Sequence, residues 1–317
     1  MEEKDKNELQ CVHCHICRKH CPFLTKYQMD IGDIQKLNKL AYHCFLCGKC
    51  SEVCPENIDG RELILNMRRK QMGKNYGMLL WEKKNYLFRN YRHALSGAVL
   101  FTGCNFPSFY PKTTKILTQL LKERAGIGVV YDCCGKPVSD LGMERQEKII
   151  INQLENRLKK ENISELIMLC PNCYVYLKDK LKVRIVSIYE KLKELGIERK
   201  MAGEGYIFPP CPDREKQEWL MQIEPFFENK CELVTDVNCC GLGGCAGIKE
   251  PELAKGFTDK LGDRRCEKIY VYCGSCAGKL AKGGCENIQH VLPVILGTGE
   301  LPDIKKSMVN RIKTKFI

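Results

Sequence analysis

The chain has 317 residues, 44% of them hydrophobic and 28% charged, which is long enough for two or three packed domains and too apolar for a disordered polypeptide. Its 22 cysteines exceed ordinary core usage, and a chain of this length is not a small disulfide scaffold. The formal charge of +12 would suit nucleic acid or an anionic surface, unless the cysteines hold something that changes the balance.

Residues 1–10 are charged from Glu2 onward and lack the apolar run and small-residue cleavage site of a secretory signal. The expected location is therefore cytoplasmic, in a reducing compartment. No apolar run approaches the roughly 20 residues that cross a bilayer, so an integral membrane protein is not expected. Under reducing conditions a high thiol count points to metal rather than disulfides, and the spacing indicates which metal.

Cys11, Cys14, Cys17 and Cys21 followed by Pro22 recur as Cys44, Cys47, Cys50 and Cys54 followed by Pro55. Both runs fit C-x2-C-x2-C-x3-C-P, in which three cysteines surround one 4Fe-4S cube and the fourth reaches the neighbouring cube. On that pattern Cys11, Cys14, Cys17 and Cys54 hold one cubane, and Cys44, Cys47, Cys50 and Cys21 hold the other. Zinc would use two C-x2-C pairs per ion and leaves the third cysteine and the Cys-Pro endings unexplained. His13, His15, His20 and His43 are expected outside the ligand sets. Between the runs, Ile31, Ile34, Leu37 and Leu40 follow an acidic start at near-helical spacing, so residues 1–60 read as a helix-rich two-cluster ferredoxin-like module. Residues 61–94 form a basic connector interleaved with Met67, Met72, Tyr76, Met78, Trp81, Tyr86 and Tyr91, with a solvated charged side and an apolar side packed on its neighbour.

From residue 95 the pattern becomes α/β. A strand over 97–103 leads to Cys104. A helix over 113–124, stopped by Gly126, leads to a strand over 127–131 and then Cys133 and Cys134. A helix over 143–160 and a strand over 166–169 lead to Cys170 and Cys173. The order recurs with Cys211 after 206–208, Cys239 and Cys240 after 232–234, and Cys273 and Cys276 after 269–272. The five offsets lie between 103 and 107 residues, so 95–197 and 198–317 read as two copies of one domain about a pseudo-twofold axis. Every cysteine group falls at a strand's C-terminal end, where open parallel sheets gather ligands.

Each copy offers five thiols, one more than a cubane needs. Either one of the adjacent pair bridges two irons in an altered core, or one cysteine per copy is a spectator. Here the motifs are specific: Cys104, Cys133-Cys134-Gly135 and Cys170-Pro-Asn-Cys173, with the glycine-rich Cys239-Cys240-Gly-Leu-Gly-Gly244, resemble the cysteine-rich CCG domain. From about residue 8 to 295 the chain resembles the catalytic subunit of heterodisulfide reductase, fused to its ferredoxin-like subunit. The resemblance implies two noncubane 4Fe-4S clusters, one on Cys104, Cys133, Cys134, Cys170 and Cys173, the other on Cys211, Cys239, Cys240, Cys273 and Cys276. It also implies an α+β chain in which the two cubanes pass electrons to the noncubane pair. There a low-molecular-weight disulfide is reduced or formed, each cluster supplying one electron and an iron for one sulfur. The intervals of 28 residues between Cys104 and Cys133, and 27 between Cys211 and Cys239, are slightly shorter than usual in the family, which bears on pocket shape and substrate.

The rival reading is a non-catalytic electron-transfer subunit of a flavin-dependent glycolate or lactate dehydrogenase; the intact pair of five-cysteine sets favours disulfide chemistry. A third is a scaffold for assembling complex clusters. Eighteen thiolates with four cluster cores would offset about ten positive charges, so no nucleic-acid partner is expected. No glycine-rich nucleotide fingerprint follows a strand, so electrons must come from or go to a partner: a flavoprotein, ferredoxin, hydrogenase or membrane cytochrome. Of the remaining cysteines, Cys231, Cys266 and Cys285 are expected to be structural, while Cys245 is placed to contact substrate or ligate at the second noncubane site. Lys136 and Lys279 are either solvated or positioned to attract an acidic substrate group.

Overall fold

A computed structural model describes residues 11–71, 77–197, 199–264 and 267–317. The charged segment 1–10, Met72, Tyr76 and Cys266 lie outside the described residues, and the side chain of Met78 is likewise not described.

Short helices at Ile16–His20, Pro22–Lys26, Ile34–Lys39 and Lys49–Glu52 build the first module. The first Cys-Pro ending acts locally: Pro22 opens a helix directly after Cys21, where a missing N–H costs nothing. The helix expected near Asp30 starts only at Ile34, with its apolar side chain Leu37 1% exposed. The connector departs from its expected solvated form. Asp59 accepts from the backbone of Arg61 and Glu62, both at 3.0 Å, and so starts the helix Gly60–Lys70. That helix places Ile64, Leu65 and Met67 in the core of the first module, together with Phe23, Leu24, Ile31 and Leu37. The second connector helix, Gly77–Lys84, buries Glu82 and Lys83.

Two four-stranded parallel sheets follow. In the first, β1 (Gly97–Phe101), β2 (Gly128–Val130), β3 (Ile163–Met168) and β4 (Arg184–Ser187) lie in the order β2-β1-β3-β4. In the second, β5 (Tyr206–Phe208), β6 (Glu232–Leu233), β7 (Ile269–Val271) and β8 (Ile288–His290) lie in the order β6-β5-β7-β8. Central β1 registers Leu100 against Val129 on one side and Ile167 on the other. Its buried Val-Leu-Phe run is what helix-covered parallel strands require. The strand anticipated through Gly103 ends at Phe101. The edge strands β4 and β8 were not foreseen, because three or four residues of mixed polarity show no clear period.

One hydrophobic core runs through both sheets, from Leu100, Phe101 and Ile167 to Phe208, Ile269 and Val271. Trp219 of the second copy is fully buried and meets Tyr174 and Tyr189 of the first edge-on, each at 5.6 Å. The helices Phe106–Phe109 and Gly274–Lys282 pack so closely that a Cβ at Gly278 would stand 2.2 Å from the Phe109 ring. The C-terminal helix Ser307–Lys313 straps the first copy, with Ser108 Oγ donating to the Ser307 carbonyl at 2.6 Å. No described helix is long and apolar enough to cross a membrane.

Candidate metal centre

In the first module Cys11 faces Cys54 and Cys14, Cys17 faces Cys11, and a single crevice is lined by Cys11, Cys14, Cys17 and Cys54. Cys21 faces Cys44, Cys47 faces Cys21 and Cys44, and Cys50 faces all three. The fourth cysteine of each run thus lies with the other run. Glycines make room for the sulfurs: a Cβ at Gly32 would stand 2.6 Å from Cys11 Sγ, and one at Gly60 2.6 Å from Cys50 Sγ. Burial pushes the Cys21 thiol up to about 12 and that of Cys50 well above its ordinary value.

The other ten thiols form one continuous run. In the first copy Cys104 meets Cys133, Cys133 meets Cys134, Cys134 meets Cys173, and Cys173 meets Cys170. Cys170 then meets Cys273 of the second copy, and the run continues through Cys276, Cys240 and Cys239 to Cys211. Cys211 in turn faces Cys47 of the first module, and both line one crevice with Arg61, Lys178 and Arg214. The cause is local and repeated. Strands β1 to β3 and β5 to β7 each end in a turn that delivers its cysteines to the same sheet edge.

Charge in this seam is strongly redistributed. The bond to Cys104 lowers Cys133, but the bond to Cys134 and burial outweigh it and push Cys133 up to about 12. Cys134 is drawn down to about 5 by hydrogen bonds from Cys133 and Cys173, and Cys239 and Cys276 hold Cys240 well below its ordinary value. Ten clustered thiols in a buried seam cannot all ionise unaided, because each thiolate loses its hydration and repels its neighbours. A multiply charged iron-sulfur core removes that obstacle, and the all-sulfur donor set fits one.

Several polar groups around the seam escaped the sequence reading. Glu82 binds Lys83 at 2.6 Å and Arg311 at 2.9 Å, and both cations act on the Cys104 thiol. Asn105, next to Cys104, accepts from Arg311 at 2.6 Å and donates to Ser275 between Cys273 and Cys276 at 2.7 Å, tying the copies together. Asp30 is 1% exposed and meets His13 and His15 at 3.0 and 2.8 Å, so those histidines hold a carboxylate beside the first thiol set. Among basic residues on the sequence, only burial distinguishes these positions, and burial is not a sequence pattern.

Two expectations are corrected. Cys245 turns away from the second thiol set. It is 3% exposed in a small cluster with Tyr42 and Leu141, and its thiol donates to the Tyr42 carbonyl at 3.3 Å. Lys136 is neither solvated nor free for a substrate, since it pairs with Asp140 at 2.5 Å with its side chain only 15% exposed. Lys279 is half-buried. Cys231 and Cys285 are buried, and Cys285 donates to the Thr258 carbonyl at 3.2 Å.

Paired four-thiol sets in a helical module, followed by two parallel sheets whose strand ends gather five thiols each, define an iron-sulfur electron-transfer protein with cysteine-rich domains. Comparison with known proteins agrees. Residues 10–58 match the 4Fe-4S dicluster domain and residues 98–178 the cysteine-rich (CCG) domain. The chain is 24% identical over 324 residues to an uncharacterized iron-sulfur protein of Methanococcus maripaludis, covering 84% of this chain and 65% of that protein. A counterpart in Methanocaldococcus jannaschii is 23% identical over 331 residues, covering 86% and 68%. One of the subunits of the fumarate reductase (CoM/CoB) from Methanothermobacter marburgensis is 24% identical over 315 residues, covering 82% and 63%. The chain spans between 63% and 68% of the length of these relatives.

Proposed function

We propose that this chain is a disulfide oxidoreductase of the heterodisulfide reductase type. Cys11, Cys14, Cys17 and Cys54 hold one cubane 4Fe-4S cluster and Cys21, Cys44, Cys47 and Cys50 the second. The five thiols of residues 95–197 and the five of residues 198–317 hold a noncubane cluster each. Bound there, the clusters supply electrons singly and an iron able to take a sulfur.

The observation that carries this reading is the meeting of the two five-thiol sets at Cys170 and Cys273. Cleaving one disulfide takes two electrons and two protons and yields two thiols. Two sites in contact match the two sulfurs, whereas a pure electron carrier needs only one site at the end of its path. The contacts also order the sites along one path, usable for reducing or for forming a disulfide: Cys47 lies against Cys211 and Cys273 against Cys170, so the second copy stands between the first module and the first copy. Lys83 and Arg311 hold positive charge beside Cys104 and so balance the thiolates at the far end. The relative named as part of a fumarate reductase supports a redox partner for this chain as well.

The test is anaerobic turnover of the full protein, reduced by a viologen dye, with a panel of low-molecular-weight disulfides. A parallel assay uses 2-hydroxy acids with a flavoprotein partner. Thiol release from at least one disulfide is expected. Flavin-dependent oxidation of a hydroxy acid with no disulfide cleaved would establish the dehydrogenase-subunit role instead.

A further inference from the structure

The connector buries a charge that its sequence gives no reason to bury. Arg68 stands in the basic run Arg68-Arg69-Lys70, yet it is 0% exposed. Its Nε and Nη2 donate to the Ala41 carbonyl at 3.0 and 2.9 Å, Nη2 donates to the Cys44 carbonyl at 2.7 Å, and Nη1 to that of Asp140 at 2.6 Å. The guanidinium lies 5.1 Å from the Tyr42 ring centroid. All these acceptors are neutral carbonyls, and no carboxylate pairs with Arg68 among the described residues.

Taking a guanidinium from water into an interior without a counter-charge is unfavourable, and carbonyl dipoles offset only part of that cost. The thiols within reach are Cys44, one of the set Cys21, Cys44, Cys47 and Cys50, and Cys245. Arg68 grips the backbone of Cys44, and its charge acts on that thiol. The outer set has the opposite neighbour: Asp30 Oδ1 lies 4.0 Å from Cys11 Sγ. A four-thiolate cluster is anionic and gains one more negative charge on reduction, so a buried cation favours the reduced form and a carboxylate disfavours it.

We propose that Arg68 sets the redox order of the first module, making the cluster site of Cys21, Cys44, Cys47 and Cys50 the easier of the two to reduce. This rests on the assignment of those eight thiols to two cubanes. In the step concerned, the outer site loses one electron and the inner site gains it; no bond changes and no proton moves. The electron originates in an external one-electron donor and is drawn toward Cys211. Arg68 is a positioning residue: it touches neither substrate nor reacting atoms.

An EPR-monitored potential titration of the full anaerobic protein with dithionite tests this. The inner signal is identified by its loss in Cys47→Ser. In the unaltered protein the inner site should reduce first. In Arg68→Gln its reduced-to-oxidised ratio at fixed potential should fall about tenfold, which is 59 mV for one electron, while the outer signal stays in place. Arg68→Lys keeps the charge but loses the fork, so it should retain most of the original midpoint. Asp30→Asn should narrow the gap by raising the outer site.

An unchanged inner midpoint in a folded, fully iron-loaded Arg68→Gln protein overturns the role of Arg68 and leaves the cubane assignment standing. If Arg68→Gln does not fold, the unaltered protein decides: an inner site that reduces together with or after the outer one overturns the proposal. A native protein without two cubane signals overturns the underlying assignment instead.

Discussion

Glu250 joins the first module to the second copy through one side chain. It is 0% exposed and accepts from Lys26 at 2.6 Å, from Tyr27 at 2.6 Å and from His43 at 2.5 Å. Burial works against its charge, but those three partners outweigh it and hold the carboxyl down to about 2. A carboxylate whose folded value is depressed contributes stability at pH values above its unfolded range, near 4.3, and loses it as pH falls toward the folded value. Glu250→Gln should therefore lower stability at pH 7 by about 1–3 kcal/mol, since it removes a charged acceptor from three donors. The gap from the unaltered protein should narrow progressively from about pH 5 down to about pH 2. Thermal unfolding of both proteins across that range is the check, and a gap that stays constant would refute the assignment. Nothing in the segment Lys249-Glu250-Pro251 marks this glutamate, which reads as an ordinary acidic residue before a helix-starting proline.

At the scale of elements, the two copies use the same glycine differently. Gly135 and Gly241 follow the adjacent cysteine pairs at φ 86° and 79°, a left-handed conformation that turns the chain away from the sheet edge. A Cβ at Gly135 would meet Ile150 Cγ2 at 2.8 Å, whereas one at Gly241 would meet the Ala254 carbonyl oxygen, inside the helix Pro251–Gly262, at 2.7 Å. A methyl group on a side chain can move; a carbonyl fixed in a helix cannot. Gly135→Ala should cost about 1–2 kcal/mol from backbone strain, and Gly241→Ala more, with iron loss concentrated in the second copy. Denaturant unfolding and iron content check this, and the reverse order would contradict it. The glycines were legible because the Cys-Cys-Gly repeat is contiguous. Their unequal surroundings were not, since Ile150 and Ala254 arrive from helices formed elsewhere in the chain.

For the whole molecule the question is whether the halves act together. Their shared core, the Asn105 to Ser275 bond and the Cys170 to Cys273 contact bind them into one seam, while each five-thiol set still belongs to its own sheet. Cys134→Ser and Cys240→Ser should each remove one set's cluster, about four of roughly sixteen irons, and leave the two cubane signals intact. Disulfide turnover should fall almost equally in both and hardly further in the double variant, because two sites that act as a unit are not additive. Loss of every cluster from one substitution, or iron content unchanged in both, would rule out separate sites. Iron and sulfide analysis with EPR reads all of these outcomes.

The module order, the repeat and the eighteen thiols were readable from the sequence because each is a local regularity: a three-residue spacing, a Cys-Pro ending, a cysteine pair at a strand's end. The identical strand orders β2-β1-β3-β4 and β6-β5-β7-β8 follow from that repetition, apart from the short edge strands β4 and β8. Only the tertiary structure decided that Cys170 faces Cys273, that Cys211 rather than Cys104 faces Cys47, and that Cys245 turns toward Tyr42. It also decided that Arg68, one cation in a basic run, is the one sealed against Cys44, with Ala41 and Asp140 on either side. The physical reason is the same in each case. A sequence carries the period of its own elements, whereas burial and charge pairing depend on surfaces that meet only after elements far apart in the chain have packed.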